Sequence, residues 1–296
     1  MEHQLEEIKN CPICKESIFE NYLSCIDHNV SEDVFHIVNC KNCNFKFTNP
    51  RPRENTIGKY YESTDYISHT SSKKGLFNRL YQGVRKYQFR KKLKTINRLI
   101  EKEEKTLLDV GCGTGEFVSF CNKNNWTAKG IETDVRARKF AININKCNVN
   151  DSLDGVIENN ESFDVITLWH VLEHVYDLDG YMRKLKSLLK KGGFIILGLP
   201  NHKSYDARYF GNKWYAYDLP IHVSHFSKPD IERIVKKYNF QSLKVKPLIF
   251  DAYYISMLSS KKSNKNILGG FIIGILSNSK ALKNNEYSSQ MYIISS

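Results

Sequence analysis

Between residues 106 and 200 the chain alternates short apolar runs with segments whose apolar residues recur at helical spacing. Residues 106–110, 127–131, 147–150, 163–168 and 193–199 read as strands. Residues 115–124, 134–145 and 177–190 read as helices. The last of these is the clearest, with Leu178, Tyr181, Met182, Leu185, Leu188 and Leu189 on one face; in the first, Phe117, Val118 and Phe120 point to the sheet. Ser227-Lys-Pro-Asp230 opens a further helix with a serine cap, an early proline and an acid in its first turn. Runs near 243–250 and 290–295 bring the strands to seven. This alternation predicts an α/β fold with parallel neighbours and ligands at the carboxyl ends of the strands.

The strand at 106–110 runs into a turn with glycines at 111, 113 and 115. Such a turn lets backbone approach a ligand closely, and the helix after it aims free N–H groups the same way. The spacing is not G-x-G-x-x-G, and the slot of a third dinucleotide-type glycine holds Glu116, whose carboxylate would repel a pyrophosphate. The expected ligand is a nucleoside without phosphates, carrying positive charge that Asp109 or Glu116 tolerates.

Residues Leu107 to Phe117 closely resemble motif I of class I S-adenosylmethionine-dependent methyltransferases. Gly130-Ile131-Glu132 resembles the end of that family's second strand, Phe163 to His174 its fourth strand and following loop, and Lys191 to Leu197 the turn into its fifth. The resemblance implies a Rossmann-like, seven-stranded, mostly parallel sheet with an antiparallel last strand. It also implies S-adenosyl-L-methionine as cofactor, held by Asp109, Gly111, Gly113, Gly115, Glu132, Asp151, Trp169 and His170. Glu132 would bond the ribose hydroxyls, which a carboxylate can accept in pairs.

Cys11-Pro-Ile-Cys14 and Cys40-Lys-Asn-Cys43 form two C-x-x-C knuckles 25 residues apart. Two knuckles place four thiolates around one structural Zn²⁺, and the metal would supply much of the folding energy of this segment. Cys25 reads as a mid-loop bystander. Asn49-Pro50-Arg51-Pro52-Arg53 suits neither helix nor central strand and reads as a linker. The organisation is therefore a zinc-ribbon domain at 1–50, a linker and helical region at 51–105, and a methyltransferase domain at 106–296. The ribbon resembles that preceding sugar-modifying and other small-molecule methyltransferases, with Tyr60-Tyr61 soon after. The zinc finger of some ribosomal-RNA guanine methyltransferases uses a histidine in its second half, which is lacking here.

Composition adds two constraints. Eight cysteines without a signal-like start argue for metal or free thiols in a reducing compartment, hence the cytoplasm. The formal charge is +12, compatible with an anionic partner or with a lysine-rich solvated surface. Much of it lies in 73–105, including Lys73-Lys74, where apolar residues at 84, 89, 93, 96, 99 and 100 predict an amphipathic helix with a basic outer face. The apolar run Ile267 to Leu276 is shorter than the roughly 20 residues that span a bilayer. It reads as a buried helix between the last strands, with docking on a membrane surface the alternative.

The connection at 200–226 is long and aromatic, as expected of a lid or substrate insertion. Methyl transfer to a hydroxyl or acidic C–H needs a base, and histidine suits it near neutral pH. His222 and His225 lie in the lid; His170 and His174 follow the fourth strand. In look-alike proteins the histidine of Leu-Glu-His, here His174, recurs. No carboxylate cluster spaced for a catalytic metal is evident near that pocket. The expected activity is methylation of a small, anionic molecule such as a sugar, nucleotide-sugar or glycan precursor. The alternatives are an RNA methyltransferase using the ribbon and basic surface, and a non-catalytic binding module.

Overall fold

The computed structural model describes residues 5–28, 30–61 and 76–296. Lys73 and Lys74 lie outside these. The strands are β1 Leu5–Glu6, β2 Phe19–Ile26, β3 Val34–Cys40, β4 Lys46–Thr48, β5 Arg51–Pro52, β6 Thr106–Val110, β7 Thr127–Ile131, β8 Val149–Asn150, β9 Phe163–Trp169, β10 Leu189–Pro200, β11 Ser224–His225, β12 Ser242–Pro247 and β13 Ser289–Ser295. The helices used below are α1 Leu76–Asn97, α2 Glu116–Asn122, α3 Val135–Asn143, α4 Leu153–Glu158, α5 Leu178–Ser187, α6 Tyr205–Phe210, α7 Lys228–Lys237, α8 Ile249–Lys262 and α9 Ile267–Asn284.

The main sheet has seven strands in the order β12-β13-β10-β9-β6-β7-β8. β6, β7, β8, β9 and β10 pair in parallel, and β13 runs antiparallel to both β10 and β12. This is the Rossmann-like arrangement expected from the sequence. Its central strands are covered on both faces, so β9 reads Phe-Asp-Val-Ile-Thr-Leu-Trp, apolar with little alternation, and six of its seven residues are buried. Helix α5 buries Leu178, Met182 and Leu185 and is capped by Asp177, whose carboxylate accepts from the Gly180 N–H at 3.0 Å. At the start of α7 the Ser227 N–H donates to Asp230 at 2.8 Å, and Ile231 and Ile234 face the core.

A second, antiparallel sheet has the order β11-β4-β3-β2. Its outer strand β11 comes from the far end of the 200–226 connection, pairing Ser224 with Phe47 and His225 with Lys46. The cysteine knuckles and the connection are therefore joined by main-chain hydrogen bonds, and Phe45, Phe47 and Phe226 join the core that runs into the main sheet. Cys25 lies on β2 rather than in a loop, apart from the four knuckle thiols, in a cluster with Trp214 and Tyr217.

Two expectations are corrected. Arg51 and Pro52, read as linker, form β5 and pair with β1; a two-residue edge strand tolerates a proline that cannot donate, and Arg51 is held by Glu6 at 2.7 Å. The run at 267–276 is helical and lies between β12 and β13 but is not buried: Leu268 is 71% and Ile272 55% exposed, while Gly270, Gly274, Ser277 and Ala281 face inward.

Candidate active site

The carboxyl ends of β6, β7, β8 and β9 lie along one edge of the sheet. After β6 the chain turns through Gly111 at φ +69° and Gly113 at φ +55°, conformations that L side chains rarely adopt. A Cβ on Gly111 would lie 2.4 Å from a Val171 methyl, whereas one on Gly113 would meet nothing within 4 Å. Gly113 thus borders open space. Its N–H donates to Glu132 at the end of β7 at 2.7 Å, and the other oxygen of Glu132 accepts from the Asp134 N–H at 2.8 Å. Asp109 is buried on β6 and accepts from the Thr167 hydroxyl at 2.6 Å; burial pushes its carboxyl up to about 7. Glu116, at the start of α2, pairs with Arg85 of α1. Asp151 is exposed in the turn after β8, where Ser152 donates to it at 3.1 Å.

Trp169 closes this edge at the end of β9. Its indole N–H is buried with no hydrogen-bond partner, and the Lys92 ammonium of α1 lies 3.7 Å from its ring centroid. Burial pulls Lys92 down to about 8, against the opposing pull of Asp251 and Asp109. Lys92 was not foreseen: it flanks the buried stripe of Leu93 and Ile96, and amphipathic spacing does not distinguish an inward lysine from a solvated one.

His170 follows at φ +56°. One ring nitrogen lies 3.2 Å from Asp251 of α8 and the other 3.5 Å from Glu173. Despite desolvation, these two carboxylates raise its pKa to about 10. It is therefore an imidazolium near neutral pH, not a free base.

Glu173 is 1% exposed, and neither carboxylate oxygen has a hydrogen-bond partner. Glu173, His174 and His222 bring one potential ligand atom each within 4.8 Å of one another, a grouping hidden in the sequence because 48 positions separate His174 from His222. His174 Nδ1 faces the Ile221 carbonyl at 3.1 Å and the Tyr61 hydroxyl at 3.1 Å. His222 Nδ1 faces the Ala216 carbonyl at 3.0 Å. Carbonyls only accept, so Nδ1 carries the proton in both rings and Nε2 keeps its lone pair. Burial lowers the pKa of His174 and takes that of His222 well below the ordinary histidine value.

His225 differs. Thr48 Oγ1 donates to the His222 carbonyl at 2.6 Å, so at 3.3 Å it can only accept from His225 Nε2, and burial takes this imidazole down to about 3. Glu173, His202, Trp214, His222 and His225 border a cavity of about 10 Å³, the size of a single water.

The four expected metal-ligating sulfurs also converge. The Sγ atoms of Cys11, Cys14, Cys40 and Cys43 all lie within 4.8 Å of one another, with Cys11–Cys43 at 3.6 Å and Cys14–Cys40 at 3.5 Å. A tetrahedral ion with Zn–S of about 2.3 Å requires sulfurs about 3.8 Å apart. Burial pushes the Cys11 thiol up to about 12.

The sheet order with its reversed β13, and the glycine turn after the first parallel strand, define the class I methyltransferase fold. The family described as "Methyltransferase domain" matches residues 84–245, more than half of the chain, and the chain belongs to it: it is an S-adenosylmethionine-dependent methyltransferase. It is 27% identical over 177 residues to the ubiquinone biosynthesis O-methyltransferase of Pelagibacter ubique, covering 56% of this chain and 74% of that one. The protein of the same name from Actinobacillus pleuropneumoniae is 30% identical over 137 residues, covering 42% of this chain and 58% of that one. Phosphoethanolamine N-methyltransferase 2 of Haemonchus contortus, solved with S-adenosyl-L-methionine, superposes with a TM-score of 0.50 at 14% identity, covering 94% of this chain and 68% of that one. Among the described residues no helix is long and apolar enough to cross a membrane.

Proposed function

We propose that the chain transfers a methyl group to a hydroxyl of a small acceptor bound between the glycine turn and the 200–226 connection, with His222 as general base. The observation that carries this reading is the grouping of the buried Glu173 carboxylate, which faces His170 at 3.5 Å but has no hydrogen-bond partner, with imidazoles whose Nδ1 protons are fixed by carbonyls. S-adenosylmethionine supplies the methyl group and its own sulfonium leaving group. The open space beside Gly113 and the unpartnered Trp169 N–H suit that cofactor. Glu132 and Asp151 would hold its nucleoside part, while Asp109, Trp169 and Lys92 would face its charged methionine part. His222 Nε2 takes the hydroxyl proton as the oxygen attacks, and Glu173 stabilises the resulting imidazolium. His174 orients this group, and His225 anchors β11 to Thr48. A water-sized cavity admits no acceptor, so the connection must move for one to enter.

The hydroxyl is supported by relatives named O-methyltransferases. The expected sugar class has no counterpart in those names, so the reading extends to any small hydroxylated acceptor. The four cysteines would hold a structural Zn²⁺ that fixes the knuckles on which β11 is built. The test is transfer of labelled methyl from S-adenosylmethionine to panels of hydroxylated aromatics, nucleotide-sugars and RNA. Hydroxylated small molecules should be labelled on oxygen; labelling of RNA alone would overturn the reading.

A further inference from the structure

Helices α8 and α9 form a hairpin inserted between β12 and β13. Their packing reverses the usual distribution of residues. A Cβ on Gly270 would lie 2.5 Å from the Ser256 carbonyl oxygen, and one on Gly274 2.9 Å from that of Ala252, so the small residues of α9 press onto α8. Ser277, on the same face, donates to the buried Asp206 of α6 at 2.7 Å. The opposite face is apolar and open: Leu268, Phe271, Ile272, Ile275, Leu276 and Leu282 are 40–76% exposed. Scattered apolar residues on a surface need no explanation, but a contiguous ridge marks an interaction site.

Charge identifies the partner. From residue 252 to 285 there is no Asp or Glu, while lysines stand at 261, 262, 265, 280 and 283. An apolar helix face flanked by lysines is the composition that settles in the headgroup layer of an anionic bilayer, with the lysines reaching phosphates. A second copy is disfavoured, because a two-fold contact through this face would juxtapose the same lysines. A protein groove is disfavoured because the ridge lacks the Trp and Arg that anchor such contacts. We propose that the α8–α9 hairpin is a docking surface for an anionic lipid bilayer, with α9 lying in the plane of the interface. Asp206 and Ser277 then connect the docked helix directly to the connection that covers the acceptor site.

The test is flotation of the full chain with vesicles of phosphatidylcholine, with and without phosphatidylglycerol. The protein should float with the anionic vesicles and not with the neutral ones, and less at high salt. Ile272→Glu with Leu276→Glu should lower the bound fraction at least tenfold, and Lys265→Glu with Lys283→Glu should lower it about fivefold for each lysine. Both pairs are exposed, so melting temperature and S-adenosylmethionine affinity should be retained. Failure of the parent protein to float, equal flotation with neutral vesicles, or flotation unchanged in the variants would overturn the proposal. So would a dimer that dissociates on Ile272→Glu without vesicle binding, since the face would then be covered by a second copy.

Discussion

The Lys92 ammonium lies 3.7 Å from the centroid of the Trp169 ring, so a cation from α1 is held over the aromatic face that ends β9. Burial pulls this lysine down to about 8, and Asp109 and Asp251 are its charged neighbours. On the proposed reading this ammonium would pair with the cofactor's carboxylate.

Lys92→Met is expected to weaken S-adenosylmethionine binding at least tenfold, the scale of one charge-assisted hydrogen bond. It should leave the melting temperature of the unliganded protein unchanged or higher. The diagnostic comparison is calorimetry with S-adenosylmethionine and its decarboxylated analogue. The parent protein should prefer the carboxylated form and lose that preference as pH rises through about 8, where the ammonium deprotonates. A variant that retains the preference would show that Lys92 does not meet the carboxylate.

Asp109 carries a conflict between stability and binding. Burial raises its carboxyl from 3.8 to about 7, so between those values the folded chain holds a proton that the unfolded chain has released. The contribution of this group to stability is therefore fully present below about pH 4 and is lost as pH rises toward 7. Asp109→Asn keeps an acceptor for the Thr167 hydroxyl and removes the buried charge. It should raise the melting temperature by about 3–5 °C at pH 8, leave it unchanged near pH 4, and weaken cofactor binding. Melting curves at the two pH values check this; equal shifts at both would disprove the account.

The pairing of β11 with β4 makes the cysteine cluster a support for the acceptor side. Elemental analysis of the purified chain is expected to find one zinc per molecule. A strong chelator, or Cys40→Ala, should lower the melting temperature by several degrees and abolish acceptor methylation. Cofactor binding at the glycine turn should survive, because the Gly113 N–H is held by Glu132 at the end of β7. Loss of both functions in parallel would mean instead that the metal supports the whole fold.

The contiguous features were legible from sequence. The glycine turn, Glu132 and the cysteine knuckles are each spelled out within a few neighbouring residues, and the helix and strand periods around the turn reflect burial on the main sheet. Contacts created only by folding were not legible. Asp251 reaches His170 across 81 positions, Lys92 turns inward beside an otherwise ordinary amphipathic stripe, and β11, starting at Ser224, joins a sheet begun at Phe19. The α9 helix misled for a different reason. Apolar content usually predicts burial, but here close helix packing required the glycines inside and left the isoleucines and leucines outside.

His222 gives the sharpest test of the chemistry. Its Nδ1 proton is committed to the Ala216 carbonyl at 3.0 Å, and burial, reinforced by the neighbouring His174 and His225, takes its pKa well below 6.5. The lone pair on Nε2 is therefore present at every pH above that depressed value, and no acid limb from this residue should appear near 6.5 in kcat/KM. His222→Gln should lower kcat by about 10²- to 10⁴-fold with little change in the KM for S-adenosylmethionine, because the cofactor is assigned to other residues. Glu173→Gln should lower kcat less, since the base remains while its imidazolium loses a buried counter-charge. It should also lower the pKa of His170, which Glu173 helps to raise, a change that ring-proton NMR titration can follow independently of turnover. If His222→Gln retained full kcat while Glu173→Gln abolished it, the carboxylate itself would be the base.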